Sequence, residues 1–270
     1  MGTRVAVTSF AVWSSAGVSV NSRPPAPRGG EPLAPWPEAP TLSAIHPNAR
    51  RPPRQAAVLV QLAHALLTAR GAIQGSAPAS PEWSQTDVLL GTATGSEAAD
   101  RDFLKGVEDR GSGFGSPSTF VYTLATAAPA EVALALGLRG TLATLTAGSI
   151  SGLTALVSAA NHVGKGRSRA CIAGGVELPG TRLGLGDAEG ELAALFLLEP
   201  SATAGHWPSI TGAELGFDPE RPSNLGEPFA SATTTLLRMA SACADPRAAT
   251  PIEISGRSPE GHWARFHLQW

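Results

Sequence analysis

The chain has 270 residues, 43% of them hydrophobic and 6% aromatic, with a formal net charge of -2 at pH 7. That length gives one large α/β domain or two small ones with a core of Ala, Val and Leu, and its 20 basic residues form no stripe that would argue for nucleic acid or an anionic membrane as partner. No run is apolar for long enough to span a bilayer, and Cys171 and Cys243 lack metal-ligand spacing, so they read as buried thiols of a reducing, cytoplasmic compartment with neither metal nor cofactor expected.

Met1 to Val20 has the length of a weak signal peptide, but the alternation of Val5, Val7 and Phe10 reads better as a first buried strand. Ser22 to Pro40 is rich in Pro and Gly and is predicted to be an exposed loop. Apolar residues recur at helical spacing from Gln55 to Arg70, ending before Gly71. Asp87 to Gly91 is a short buried strand, followed by a small-residue turn and a helix from Glu97 to Glu108. Gly111 to Ser118 is predicted to be a loop, and Pro117 to Ala128 an extended segment leading into a helix at Ala130 to Leu136. Pro129 suits a first helical turn and Gly137 a helix end. Strands are expected at Thr141–Ala147, Arg169–Ala173, Glu191–Leu198 and Ile210–Phe217, and helices at Ile150–Val163 and Phe229–Ala242. Two strand-like runs, Pro251–Ser255 and Ala264–Trp270, close the chain. This alternation predicts a mainly parallel sheet of five strands covered by helices on both faces.

Five segments, in order, resemble the β-ketoacyl synthase branch of the thiolase-like fold. RVAVTSFAVWSSAG is similar to that family's first strand and turn. DVLLGTATGSEAADRDFLKGV resembles its strand, Gly turn and helix. GSPSTFVYTLATAAPAEVALALGLRG resembles its dimer-interface segment. TLTAGSISGLTALVSAANHVGKGRSRACIAGGVEL resembles the nucleophile strand, the nucleophile helix and the next strand. LGLGDAEGELAALFLLEP, followed by ITGAELGF, resembles the end of the N-terminal half. Order and spacing, rather than any one match, carry the resemblance. It implies a complete N-terminal ketosynthase-like domain over residues 1–217. Residues 218–270 are then a vestigial C-terminal segment of one helix and two strands packed on it.

The departures bear on activity. Ser149, in AGSISG, stands where the family places its nucleophilic Cys. A helix N-terminus activates a thiol far better than a hydroxyl, which stays protonated without an adjacent base. Glu227, in NLGEPFA, stands where the family places a His. A carboxylate there repels both a malonyl group and the developing enolate. The family's earlier His and its Lys have no counterpart, so no catalytic residue is expected.

His162 lies about three and a half turns along the helix from Ser149, at ~1.5 Å per residue, too far to act as its base. Ser149 therefore reads as a helix-capping serine. Asp187 and Glu189 read as a solvated Gly-rich turn, Cys171 as inert core, and Arg50, Arg51 and Arg54 as a solvated basic face. Phe120, Tyr122 and Leu124 alternate along the predicted extended segment, which places them on one side of it, at an interface and facing an acyl tunnel.

The resemblance thus implies a non-catalytic, chain-length-factor-like subunit of aryl-polyene or related type II polyketide, or fatty acid, biosynthesis. Its partner would be a complete Cys-bearing β-ketoacyl synthase in a heterodimer, with acyl carrier protein engaged through that partner. A Ser149-dependent acyltransferase or thioesterase and a structural scaffold are the alternatives.

Overall fold

The computed structural model describes residues 3–14, 17–22, 42, 45, 52–111, 115–177, 192–203, 207–218, 232–245, 251–258 and 261–270. The strands are β1 (Val5–Ser14), β2 (Gly17–Val20), β3 (Ile73–Gln74), β4 (Ala77–Pro78), β5 (Asp87–Gly91), β6 (Leu142–Leu145), β7 (Cys171–Glu177), β8 (Leu192–Pro200), β9 (Ser209–Phe217), β10 (Ile252–Arg257) and β11 (His262–Gln269). The helices are α1 (Arg54–Arg70), α2 (Glu97–Arg110), the single turn α3 (Pro117–Phe120), α4 (Ala127–Leu136), α5 (Ser151–Gly164) and α6 (Ala232–Cys243). Most of the predicted loop after β1 and the start of the predicted helix at Phe229 lie outside the described residues.

Among the described residues nine strands form one sheet in the order β10-β11-β9-β1-β8-β7-β5-β6, with β2 paired to β1. The α/β class with helices on both faces holds, but the expectation of five mainly parallel strands is corrected. Only β5–β6 and β5–β7 are parallel, and the other ladders are antiparallel. The reason lies in the connections. A parallel pair needs a crossover of a dozen or more residues, usually a helix. Where the link is too short for that, as the four residues between β10 and β11, the chain returns antiparallel.

β1 is a central strand, paired with β8 along one edge and with β9 and β2 at the two ends of the other. Its inward face changes parity: Val5 and Val7 share one core with Phe10 and Val12, because the β1–β8 register slips between Val7 and Ser9. β8 alternates strictly, with Ala194, Phe196 and Leu198 on the α5–α6 side and Ala193, Leu195 and Leu197 on the α1–α4 side. Burial on both faces is why this segment reads as a continuous apolar run.

β9 meets β1 through only two residue pairs, Val5 with Ile210 and Ala6 with Ser209. Beyond that corner β9, β11 and β10 form an antiparallel leaf that turns back over the helices. α5 packs on β5, β7 and β8 and also on β9 and β11. Ile254, Ala264, Phe266 and Leu268 of the leaf join Leu236 and Met239 of α6 in the core around α5. The closing strands are therefore hydrogen-bonded into the main sheet, and β11 packs on α5 as β7 does. Among the described residues no single helix is long and apolar enough to cross a membrane.

Candidate functional site

β5, β6 and β7 run parallel, so the loops at their carboxyl ends gather at one edge of the sheet, where open α/β sheets ordinarily bind ligands. The loop after β6 carries Ser149 and delivers the chain into α5. Three glycines make this close approach possible. Gly91 ends β5 directly beneath the first turn of α5, where an added methyl would overlap the Ser151 carbonyl. A methyl on Gly175 would lie 3.1 Å from the Gly152 Cα, and methyls on Gly175 and Gly152 would lie 3.0 and 2.8 Å from Leu236 Cδ1. Leu236, buried on α6, thus closes the space above this turn.

Ser149 is half-buried and sits before the helix rather than at its cap; Ile150 occupies the cap position. The expected capping role of Ser149 is corrected, and the serine two residues later takes the turn in hand. The buried Ser151 Oγ accepts from the Ala147 N–H at 2.8 Å and donates to the Gly148 carbonyl at 2.7 Å. The turn is tight enough that Ala147 and Ser149 bridge each other. Ser151→Ala is therefore expected to cost about 2 kcal/mol, since it leaves buried groups unpaired, and to lower Tm by roughly 4–8 °C. Ser149→Ala should shift Tm by less than about 2 °C, and thermal unfolding of both variants checks the assignment.

Each described histidine outside this turn has a partner elsewhere. His64 Nε2 lies 2.9 Å from the Gly75 carbonyl. His162 Nδ1 lies 3.4 Å from the buried Asp87 carboxylate. The His262 ring packs 4.8 Å from that of Phe217, and the His267 ring lies over Gly212. Glu227, Asp187, Glu189, Arg50, Arg51 and His206 lie outside the described residues. Among the described residues no three His, Cys, Asp or Glu side chains gather as metal ligands would.

Both thiols are buried. Burial pushes the Cys171 thiol well up, and the nearby Asp87 charge adds to the effect. Burial alone pushes the Cys243 thiol up. Neither supplies a thiolate, the reactive species, at neutral pH. Native protein at pH 8 is expected to react with an aromatic disulfide reagent at least a hundredfold more slowly than denatured protein, with both thiols titrating once it is unfolded.

The segment predicted to be extended is instead wound. Pro117 enters a helical turn, where its missing N–H costs nothing, and Ser116 caps it by accepting from the Thr119 N–H at 3.4 Å. A 3₁₀ turn at Val121–Thr123 follows before α4. Phe120, Tyr122 and Leu124 therefore do not line one side of a strand. Phe120 is 53% exposed and packs at a tilt, ring centres 5.5 Å apart, on Phe103 of α2, Leu124 is 57% exposed, and Tyr122 turns inward to donate to Glu131 at 2.8 Å. The sequence reading missed Val121, Leu142 and Leu134, all exposed and the last at 69%. The signal for Leu134 was present, since a helix apolar on every side, as AAPAEVALAL is, has an outer face to cover. Leu142 begins β6, which pairs only with β5 and forms the sheet's edge among the described residues.

Residues 36–190 match the sequence profile of the β-ketoacyl synthase N-terminal domain. The chain belongs to the β-ketoacyl synthase family. No curated protein matches it. Among solved structures it is similar to one titled the ishigamide ketosynthase/chain length factor, at 16% identity and a TM-score of 0.75 over 99% of both chains. It is also similar to a type II polyketide synthase acyl-carrier protein complex with its ketosynthase bound to the hexaketide, AntDE:AntF, at 12% identity and a TM-score of 0.68 over 100% of both chains. A third is the ketosynthase ApeO in complex with its chain length factor ApeC from Xenorhabdus doucetiae, at 15% identity and a TM-score of 0.63 over 99% of both chains. These likenesses show the ketosynthase fold, and they run end to end.

Proposed function

We propose that this β-ketoacyl synthase relative is a non-condensing, chain-length-factor-like subunit that pairs with a complete Cys-bearing synthase and shapes its acyl tunnel. The observation that carries the reading is the turn at Ser149. The nucleophile position holds a hydroxyl, its loop is fixed by Ser151, the described histidines are engaged elsewhere, and Leu236 fills the space above α5. Glu227 in place of the family's His points the same way. The end-to-end likeness to structures whose titles name ketosynthases with chain length factors supports a partner of that kind. Acyl carrier protein would then be engaged through the synthase, in polyketide, polyene or fatty acid assembly, and residues 218–270 are what remains of the second half.

The surface for that partner is the exposed apolar group at the β6 side of the molecule: Phe120, Val121, Leu124, Leu134 and Leu142. Buried apolar anchors dominate the energetics of such contacts, at about 2 kcal/mol or more each for the central ones. Leu124→Asp combined with Leu142→Asp is expected to abolish the heterodimer in size-exclusion chromatography with the co-expressed synthase while the monomer's melting temperature stays within a few degrees. A complex of undiminished affinity would overturn the surface. Phe120→Ala, Tyr122→Ala and Leu124→Ala, assayed as complexes by mass spectrometry, should lengthen or broaden the products. Unchanged lengths in all three would leave a scaffold role, and acyl transfer by the isolated chain that Ser149→Ala removes would establish the enzyme reading.

A further inference from the structure

Ser96 stands just before α2, where a serine hydroxyl ordinarily accepts from its own helix's free N–H groups. It makes no such cap. Its hydroxyl donates to the Thr123 carbonyl at 2.5 Å, with the Asp100 carboxylate oxygens each at 3.2 Å. From the edge strand, Thr144 Oγ1 donates to the Ala125 carbonyl at 3.0 Å. The two accepting carbonyls flank Leu124, where the 3₁₀ turn gives way to α4.

Packing alone does not hold this stretch. Beside it lies an open cavity of about 860 Å³, bounded by the first turns of α1 and α2 and by Val121, Leu124, Ala125 and Ala128. The side chains of Val121 and Leu124, which line it, are themselves more than half exposed. Close-packed interiors fix a segment by interdigitation. A segment that borders an open cavity and is exposed in this way depends on its hydrogen bonds, and few buried contacts mark it as a unit that opens locally.

We infer that Ser96 and Thr144 are positioning residues whose hydroxyls hold the main chain at 123–125 and thereby aim Phe120, Val121 and Leu124 at the partner. The consequence for product length rests on the pairing reading above; the anchoring itself does not. Two posts from different elements, α2 and β6, tie the segment both to the helix layer and to the sheet edge. Losing one loosens it toward the cavity, and losing both leaves the main chain at 123–125 without a side-chain anchor from either element, although Tyr122 still donates to Glu131 and Phe120 still packs on Phe103. The segment's aim, and with it the point where an acyl tail is stopped, is then set by two hydroxyls that touch neither partner nor substrate.

The test uses Ser96→Ala, Thr144→Val and their combination beside the hydroxyl-retaining Ser96→Thr and Thr144→Ser. Hydrogen exchange is read on the isolated chain at the Phe120 and Ala127 amides, which donate to Ser116 and Leu124 at 2.9 Å. Loss of both posts is expected to speed exchange there about tenfold, with the remaining amides unchanged and Tm within a few degrees of the parent. The hydroxyl-retaining variants should exchange as the parent does. Unchanged exchange in the double variant, or equal acceleration along the whole chain, would overturn the inference. In the complex the double variant should broaden the product lengths; a parent-like distribution from a folded heterodimer would refute the link to specificity. Should the parent form no heterodimer, the pairing reading fails, and the exchange result alone still decides the anchoring.

Discussion

Gly91→Ala is expected to leave almost no native protein. The added methyl would overlap the Ser151 carbonyl and the Gly152 amide, which are backbone atoms of the helix that forms the centre of the molecule. A flexible side chain yields to such an intrusion at a cost of roughly 1–3 kcal/mol. Backbone at a helix start yields only if the helix moves, and α5 is gripped between β7 and the folded-over leaf. A loss of about 4 kcal/mol or more follows, in the range reserved for the severest single substitutions. Gly71→Ala is the control: its φ of +73° is unfavourable to alanine, but nothing stands within 4 Å of the added methyl, so about 1 kcal/mol is expected. Soluble yield and urea unfolding of the two variants measure the contrast.

Arg70→Ala is the second large effect. Glu199, 3% exposed, accepts from Arg70 Nε at 2.7 Å and Nη2 at 3.3 Å, and from the Thr8 hydroxyl. The same guanidinium lies 5.8 Å from the Trp83 ring. Removing the cation strands a buried carboxylate, for which about 3–5 kcal/mol is expected. Replacing both partners, as Arg70→Met with Glu199→Leu, should recover most of that loss, because no charge is then left buried. Urea unfolding of both variants reads the difference. A double variant no more stable than Arg70→Ala would show that the ion pair itself, rather than the stranded charge, holds α1 to β8.

What the sequence disclosed depended on how local the deciding physics was. Asp87–Gly91 matched its predicted ends because an apolar run between turn residues needs no distant partner to be recognised. The family followed from motif order for the same reason. The antiparallel ladders were hidden, since the alternation of strand and helix that suggests a parallel sheet does not fix the direction in which each strand enters it. The folded-over leaf was invisible, because its corner rests on the two pairs Val5–Ile210 and Ala6–Ser209, brought together from distant parts of the chain.

The segment at Pro117 was misread where a usable signal existed. Ser116 followed by Pro117 is a helix start, whereas the extended reading rested on the alternation of Phe120, Tyr122 and Leu124. The choice between Ser149 and Ser151 as the residue that secures α5 turned on a loop geometry that sequence alone does not fix.

The position of β1 also governs how the chain comes to be folded. The earliest of these strands to be synthesised is a central one, and the residue that clasps it, Glu199, lies 191 positions after Thr8. At ribosomal rates of ~5–20 residues per second, β1 waits roughly 10–40 s for β8 to emerge. During that interval VAVTSFAVW is an apolar strand whose β8 edge stays open, with only its end paired to the neighbouring β2, and non-local closure of this kind is slow even after release. The nascent chain thus exposes an apolar strand for that interval, and a rearranged gene that places β1 after β11 would shorten the wait that the natural order imposes.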